Sequence, residues 1–115
     1  MGKCRLLIVA AALLFRPAIV FARSGEVMFI GVGASSCGTW TADRVNPYSF
    51  PAIADGSWVL GFLSGIAYEG PENDDPLAGT DAQGVFAWID NYCRANPIDH
   101  ISAAAEAFYG AHPHP

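Results

Sequence analysis

The chain has 115 residues and a formal charge of −5 at pH 7, with six lysines and arginines against eleven acidic residues. This length suits one small domain. The scarcity of clustered basic residues argues against a nucleic-acid-binding protein and against stable association with anionic membranes.

The N-terminus is typical of a secretory signal peptide. Two basic residues precede the apolar run 6–15, and a second short apolar stretch ends at Ala22. Arg16 and Pro17 interrupt the apolar region, whereas a transmembrane helix needs roughly 20 continuous apolar residues. We therefore predict a signal peptide over residues 1–22, in preference to an uncleaved anchor, and a periplasmic or secreted mature protein.

The predicted mature chain is strongly acidic. It keeps all eleven acidic residues but only three arginines, which gives a formal charge of −8. Such a charge favours free solution or a basic protein partner over nucleic acid. A domain of this size also buries little apolar surface, so we expect it to need a covalent staple.

A glycine-containing arm precedes the first cysteine of the mature chain. We predict that residues 23–36 are extended or flexible, with 27–30 as a short strand or an extended segment. Gly31 and Gly33 resemble a dinucleotide-binding fingerprint only in part, because Ser36 stands where the third glycine is required. The arm therefore predicts no cofactor.

Two cysteines, Cys37 and Cys93, remain after the predicted signal peptide is removed. Exported proteins tend to oxidise their thiols, and two cysteines allow one connectivity. We therefore predict a structural disulfide between them. One alternative is a catalytic thiol beside one of the histidines (His100, His112 or His114). Another is a metal site, for which no CxxC or HxxxH cluster is present.

The first two helices are predicted from proline positions and apolar spacing. Residues 39–45 predict a short helix, which the following prolines end. Residues 54–68 predict a second helix, because apolar side chains recur there on one face. Asp55 or Ser57 is the expected N-cap of this helix. The two glycines of the step 61–65 lie on one stripe, where we expect another helix to approach closely.

An acidic loop follows over residues 71–79. Its Glu72, Asp74 and Asp75 are the candidate partner-binding residues. A calcium site is not predicted there, because the D-x-[DN]-x-[DN]-G spacing of an EF-hand is absent.

The third helix has the strongest pattern. Residues 80–95 begin with Thr80 and Gln83 in the spacing of a capping box. One face of the helix is apolar at positions i, i+3, i+4, i+7 and i+8. These positions are Val85, Trp88, Ile89, Tyr92 and Cys93. The pattern points Cys93 toward the interior, where a bridge can be buried.

A last helix is predicted over residues 96–110, with Asn96 as its cap and Pro97 at its first position. Its expected inner face consists of Ile98, Ile101, Ala105 and Phe108. The tail 111–115 is predicted to be disordered, and no metal site is predicted there.

Three stretches together resemble a known family. They are CGTW at 37–40, WVLGFLSG at 58–65 and YCRANP at 92–97. Their order is similar to that in the HdeA-like periplasmic acid-stress chaperones, which are helical and carry one disulfide between an early and a later helix. The resemblance implies an all-α, disulfide-stapled domain of three to four helices over 37–110. It also implies that other proteins are its partners, and a homodimer is a candidate assembly.

A second likeness runs to the Rap/Tai-type immunity proteins, which bind cell-wall amidase toxins in the periplasm. The likeness rests on the glycine step 61–65. It implies an inhibitor of a secreted hydrolase. From its charge, we expect the acidic loop 72–75 of such an inhibitor to enter a basic cleft of the partner.

The sequence predicts a binding protein and not an enzyme. G-x-S-x-G, HExxH and clustered ligand motifs are missing from it, so we expect no catalytic residue, cofactor or metal. Our first hypothesis is an acid-stress chaperone, because protonation of its carboxylates and histidines turns a charge of −8 into a positive one. The alternative is a periplasmic immunity or inhibitor protein.

Overall fold

The computed structural model describes residues 27–71 and 74–112. The predicted signal peptide, Glu72 and the last three residues lie outside these ranges. Within them the chain is all-helical, as predicted. A 3₁₀ helix (Gly31–Ala34) is followed by α1 (Cys37–Asp43), α2 (Phe50–Glu69), α3 (Ala82–Ala95) and α4 (Ile101–Ala111).

The predicted Cys37–Cys93 disulfide is present. It joins the first residue of α1 to the last turns of α3, across 56 positions of sequence, with the two Cα atoms 4.7 Å apart. Both cysteines are fully buried. A buried disulfide is compatible with an oxidising, exported location.

Backbone hydrogen bonds surround the disulfide. The amides of Cys37 and Gly38 donate to the carbonyls of Asp99 and Pro97 at 2.7 and 2.9 Å. The amide of Ile101 donates to the carbonyl of Ser35 at 2.9 Å. The first amides of a helix have no partner within the helix, so the 96–99 turn satisfies the start of α1 and holds it against α4.

Part of the predicted arm packs on α2. The ring of Phe29 makes edge-to-face contacts with Trp58 and Phe62, with ring centroids 6.1 and 5.6 Å apart. Gly33 is buried beneath Trp58, and a Cβ atom at this position would overlap the indole ring. The glycine-containing segment therefore forms a 3₁₀ helix on the surface of α2.

The second helix begins earlier than predicted, and its predicted cap is wrong. The side chain of Ser49 accepts a hydrogen bond from a first-turn amide, and Pro51 occupies the first turn. Proline is tolerated there because that position needs no amide hydrogen. Asp55 and Ser57 therefore lie inside the helix, and Asp55 belongs to its buried face.

The predicted apolar face of the third helix is confirmed. Val85, Ile89 and Cys93 are fully buried, and two aromatic residues of the same face pack against the core. The cap lies one residue later than predicted. It is Asp81, whose carboxylate accepts from the amide of Gly84 at 2.8 Å.

The start of the last helix was predicted wrongly. Residues 96–99 form a turn, and α4 begins at Ile101. Ile98 is 90% exposed, so its predicted inward position is wrong. Ile101, Ala105 and Phe108 are buried as expected.

The glycine step of α2 faces solvent. A Cβ atom at Gly61 or Gly65 would meet nothing within 4 Å, so the expected close approach of another helix is wrong for the described residues. α2 is 20 residues long with a mean hydropathy of 1.3, long and apolar enough to cross a membrane. The core helix of a water-soluble domain can have the same properties, and α2 places Val59 and Leu63 in the core.

We expect removal of the disulfide to lower the stability of the domain substantially. In the chain-entropy model, a cross-link closing a loop of this length stabilises the fold by about 4 kcal/mol. We expect Cys37→Ala/Cys93→Ala to lower the free energy of unfolding by roughly that amount in urea titrations followed by circular dichroism. Reduced wild-type protein is the control for the lost sulfur atoms. Equal midpoints for the variant and the oxidised wild type would contradict the prediction.

Candidate functional site

Aspartates connect the helices of this domain. In the part of the chain that the structure describes, the hydrogen bonds between side chains of different elements all end on an aspartate carboxylate. These acceptors are Asp74, Asp90 and Asp99. A hydrogen bond to an ionised acceptor is about twice as strong as a neutral one, so the charge of these carboxylates strengthens the links.

Asp90 joins α3 to α1. One carboxylate oxygen accepts from the indole nitrogen of Trp40 at 2.7 Å and from Nε of Arg44 at 3.0 Å. The other accepts from Nη2 of Arg44 at 2.9 Å. Burial acts to raise the pKa of Asp90, but the hydrogen bonds from Arg44 and Trp40 outweigh it and leave the pKa below its ordinary value.

Arg44 is held on several sides. Its guanidinium carbon lies 5.6 Å from the centre of the Trp40 ring and 5.2 Å from that of Phe86, in cation–π contact with both. Asp90 uses its Nε and Nη2 atoms. The side chain therefore has a defined orientation, and its hydrogen bond to Asp90 raises its already high pKa.

Two further hydrogen bonds join neighbouring parts of the bundle. The hydroxyl of Tyr92 donates to Asp99 at 2.7 Å, between α3 and the turn before α4. The hydroxyl of Tyr109 donates to Asp74 at 2.8 Å, between α4 and the acidic loop.

The predicted partner-binding residues have different surroundings. Asp74 is half-buried and bonded to Tyr109. Asp75 is exposed, and its carboxylate accepts from the amide of Leu77 at 2.8 Å, within the loop. Glu72 lies outside the described residues. Of the predicted trio, the structure therefore brings Asp75 to the surface and joins Asp74 to α4.

Asp55 is a buried acid in the middle of α2. It is 2% exposed, and its Oδ2 atom has no hydrogen-bond partner in the described part of the chain. Burial, the charge of Asp43 and a hydrogen bond with Asp43 together raise the pKa of Asp55 to about 6.

The structure bears on the two alternatives to a disulfide, a catalytic thiol beside a histidine and a metal site. Both sulfur atoms are bonded to each other, so no thiol is available to a histidine. His100 is exposed at the start of α4, and His112 stacks on Phe108 with ring centroids 5.0 Å apart. Residues 27–71 and 74–112 contain no group of three or more His, Cys, Asp or Glu side chains that is able to hold a metal.

Sequence reasoning missed the Arg44–Asp90 pair and the buried Asp55. Arg44 is one of few cations in an acidic chain. This scarcity indicates that Arg44 pairs with an aspartate or a glutamate. Its partner lies 46 positions away and has no local mark. The sequence predicts Asp55 as a cap, because aspartate is common at that position and rare inside a helix.

Comparisons with protein-family models, with curated proteins and with solved structures find no match for this chain. The resemblance to acid-stress chaperones therefore stays a prediction.

The buried Asp55 predicts that stability rises as the solution becomes mildly acidic. Its folded pKa of about 6 lies above the ordinary 3.8, so its ionisation destabilises the fold above pH 6, and the cost disappears as pH falls below about 4. The pKa difference corresponds to about 3 kcal/mol at neutral pH. We expect Asp55→Asn to raise the free energy of unfolding at pH 7 by up to that amount and to have little effect at pH 4.

The measurement is urea unfolding at both pH values. Asp75→Asn is the matched control, because this aspartate is exposed and an amide oxygen is able to keep its bond to Leu77. A loss of stability at pH 7 for the Asp55 variant would contradict the prediction.

The contribution of Asp90 to the free energy of unfolding has the opposite dependence on pH. Its folded pKa lies below the ordinary value, so it contributes stability above pH 4 that is lost as pH falls through the folded pKa. We expect Asp90→Asn to lower the free energy of unfolding at pH 7 by about 1–3 kcal/mol. The deficit should shrink as pH falls through the folded pKa, because the wild-type carboxylate is then protonated as well. Equal stability of the two proteins at pH 7 would rule out Asp90 as a structural link.

Proposed function

We propose that this protein is an exported binding protein that holds other polypeptides at strongly acid pH, as the acid-stress chaperones do. One observation carries the proposal. The side-chain links between the described elements end on carboxylates, whereas the covalent link between α1 and α3 does not respond to pH.

Acid weakens the side-chain link between α1 and α3. In strongly acid solution, as pH falls through the lowered pKa of Asp90, protonation removes the charge from the carboxylate that accepts from Trp40 and Arg44. The disulfide keeps α1 beside α3. Looser packing around the contact between α1 and α3 then exposes the apolar core to unfolded clients.

Asp55 favours the closed fold in mildly acid solution. It takes up a proton near pH 6, which stabilises the closed fold under mildly acid conditions. Loss of the Asp90 link opposes this gain only at lower pH, because the folded pKa of Asp90 lies below its ordinary value. Opening is therefore confined to strongly acid solution.

Charge keeps the opened protein in solution. When its carboxylates are neutral, the predicted mature chain retains three arginines and three protonated histidines. The resulting positive charge opposes self-association of exposed apolar surfaces. A client at the same pH is also cationic, so we assign the attraction between them to apolar contact.

One observation supports the alternative of an immunity or inhibitor protein. The bond from Tyr109 to Asp74 ties the acidic loop to α4 and leaves Asp75 exposed. A loop held in place pays less ordering entropy on entering a basic cleft. Stable binding of a secreted hydrolase at pH 7, lost in Asp75→Lys, would favour this alternative.

The proposal predicts protection of clients at acid pH only. We expect a molar excess of the oxidised protein to suppress the light scattering of an acid-unfolded client protein at pH 2 and to have no effect at pH 7. Asp55→Asn is the matched control, because the wild-type aspartate is already neutral at pH 2, and it should protect equally well. Unchanged client aggregation at pH 2 in the presence of the wild-type protein would rule out the proposal.

A further inference from the structure

A short apolar segment before the 3₁₀ helix lies on α2. We call residues 27–30 the strap. Phe29 is its one half-buried residue, whereas Val27, Met28 and Ile30 are 61%, 82% and 80% exposed. In the described part of the chain, no hydrogen bond joins the strap to any of the four α-helices. The ring of Phe29 is therefore its principal attachment.

The ring of Phe29 lies on a pair of stacked aromatic residues of α2. The rings of Trp58 and Phe62 have centroids 5.3 Å apart and planes inclined by 7°. Phe29 meets both rings edge to face, with centroids 6.1 and 5.6 Å apart. Stacked and edge-to-face arrangements are the favoured geometries of aromatic pairs. The aromatic pair therefore has a defined position for one further ring.

The aromatic pair is also supported from below and from the side. Both of its residues are half-buried and pack against the core. Gly33 of the 3₁₀ helix lies against the indole of Trp58. The amide of Ile101 donates to the carbonyl of Ser35 at 2.9 Å, which fixes the end of the 3₁₀ helix to α4. We therefore expect the pair to keep its position when the strap leaves.

The strap joins the 3₁₀ helix through Gly31. The φ angle of this residue is +82°, in the left-handed region that favours glycine. A Cβ atom there would meet nothing within 4 Å, so the backbone angle and not the space explains the glycine. Because glycine adopts many backbone conformations, the strap can turn away from α2 while the 3₁₀ helix stays in place.

Open surface lies beside the aromatic pair. Gly61 and Gly65 each stand three residues after one member of the pair, so both lie on the same side of it along α2. A Cβ atom at either glycine would meet nothing within 4 Å. The strap therefore leaves this glycine strip uncovered, and a longer segment has room to lie along α2.

We propose that the aromatic pair and the glycine strip bind an extended segment of another polypeptide, in which one aromatic residue lies between aliphatic residues. The strap occupies the site in the free domain and has this chemistry. Its sequence is VMFI, its ring points inward, and its neighbours are exposed. Ile30 has an extended backbone, and successive side chains of an extended chain point to opposite sides.

Binding is therefore an exchange of one ring for another. The side chain of Phe29 leaves the aromatic pair, and an aromatic side chain of the incoming segment takes its position. As the contact surface for clients of the chaperone, the site rests on the proposed function. The exchange itself is measured at pH 7, without acid and without an unfolded protein.

The test supplies the sequence of the strap as a free peptide. N-acetyl-Val-Met-Phe-Ile-Gly-amide is titrated into the oxidised wild type and into Phe29→Ala, and binding is followed by ¹⁵N–¹H NMR. We expect the variant to bind at least about tenfold more tightly, because the strap of the wild type competes for the site. The shift changes should centre on residues 58–65. The same peptide with alanine in place of phenylalanine should bind to neither protein.

Two further variants locate the site. Met28→Ala is the matched control, because it truncates an exposed side chain of the same strap, and it should bind as the wild type does. Phe62→Ala, added to Phe29→Ala, should weaken binding at least about tenfold, because half of the aromatic pair is lost. In the wild type itself, excess peptide should move the amide signals of residues 28–31 as the strap is displaced. This readout does not depend on the folding of any variant.

Three outcomes would overturn the proposal. They are equal affinity of the wild type and Phe29→Ala, equal affinity for the two peptides, and shift changes away from residues 58–65. A wild-type dimer in sedimentation that Phe29→Ala dissociates would also overturn it, because the site would then hold the strap of a second copy. Failure of client protection at pH 2 would remove the chaperone function and leave the peptide titrations at pH 7 unchanged.

Discussion

The joint between α1, α3 and the 96–99 turn supports the remaining packing of this domain. A buried disulfide closes it on one side, and the backbone amides of Cys37 and Gly38 close it on the other. Neither kind of bond changes with the protonation of carboxylates. α2 and α4 instead contact this joint through apolar side chains around Trp40 and Phe108. A small domain thus combines a covalent centre with helices attached to it by apolar packing.

Two aspartates, the half-buried Asp90 and the buried Asp55, change the stability of the domain with pH in opposite directions. Asp90 lies among donors, and the hydrogen bonds it accepts outweigh the cost of burial. Asp55 lies beside another acid, so burial and repulsion act in the same direction. The balance of partners, more than depth, decides whether a buried carboxylate stabilises the fold as an ion or as a neutral group. The most stable condition for this domain therefore lies between neutral and strongly acid pH.

Local patterns predicted much of this fold, and long-range contacts account for the errors. The apolar spacing of α3 gave the inward face of Cys93 correctly, because periodicity reports burial directly. Asn96 and Pro97 form a plausible helix start, but α1 uses the carbonyl of Pro97 and the chain continues as a turn. The Arg44–Asp90 pair joins residues that have no common motif. The groove between α2, α3 and the loop that joins α1 to α2 is likewise built from separate parts of the sequence, so no single stretch of sequence predicts it.

The position of the disulfide divides the chain into a covalent ring and two linear ends. α1, α2 and most of α3 lie inside the ring, whereas α4 follows it. A protease that cuts one peptide bond between the two cysteines leaves both fragments attached to each other. A carboxypeptidase that cannot pass a cross-linked residue removes α4 and stops before Cys93. In a compartment rich in peptidases, a single cleavage within the ring therefore leaves this molecule in one piece.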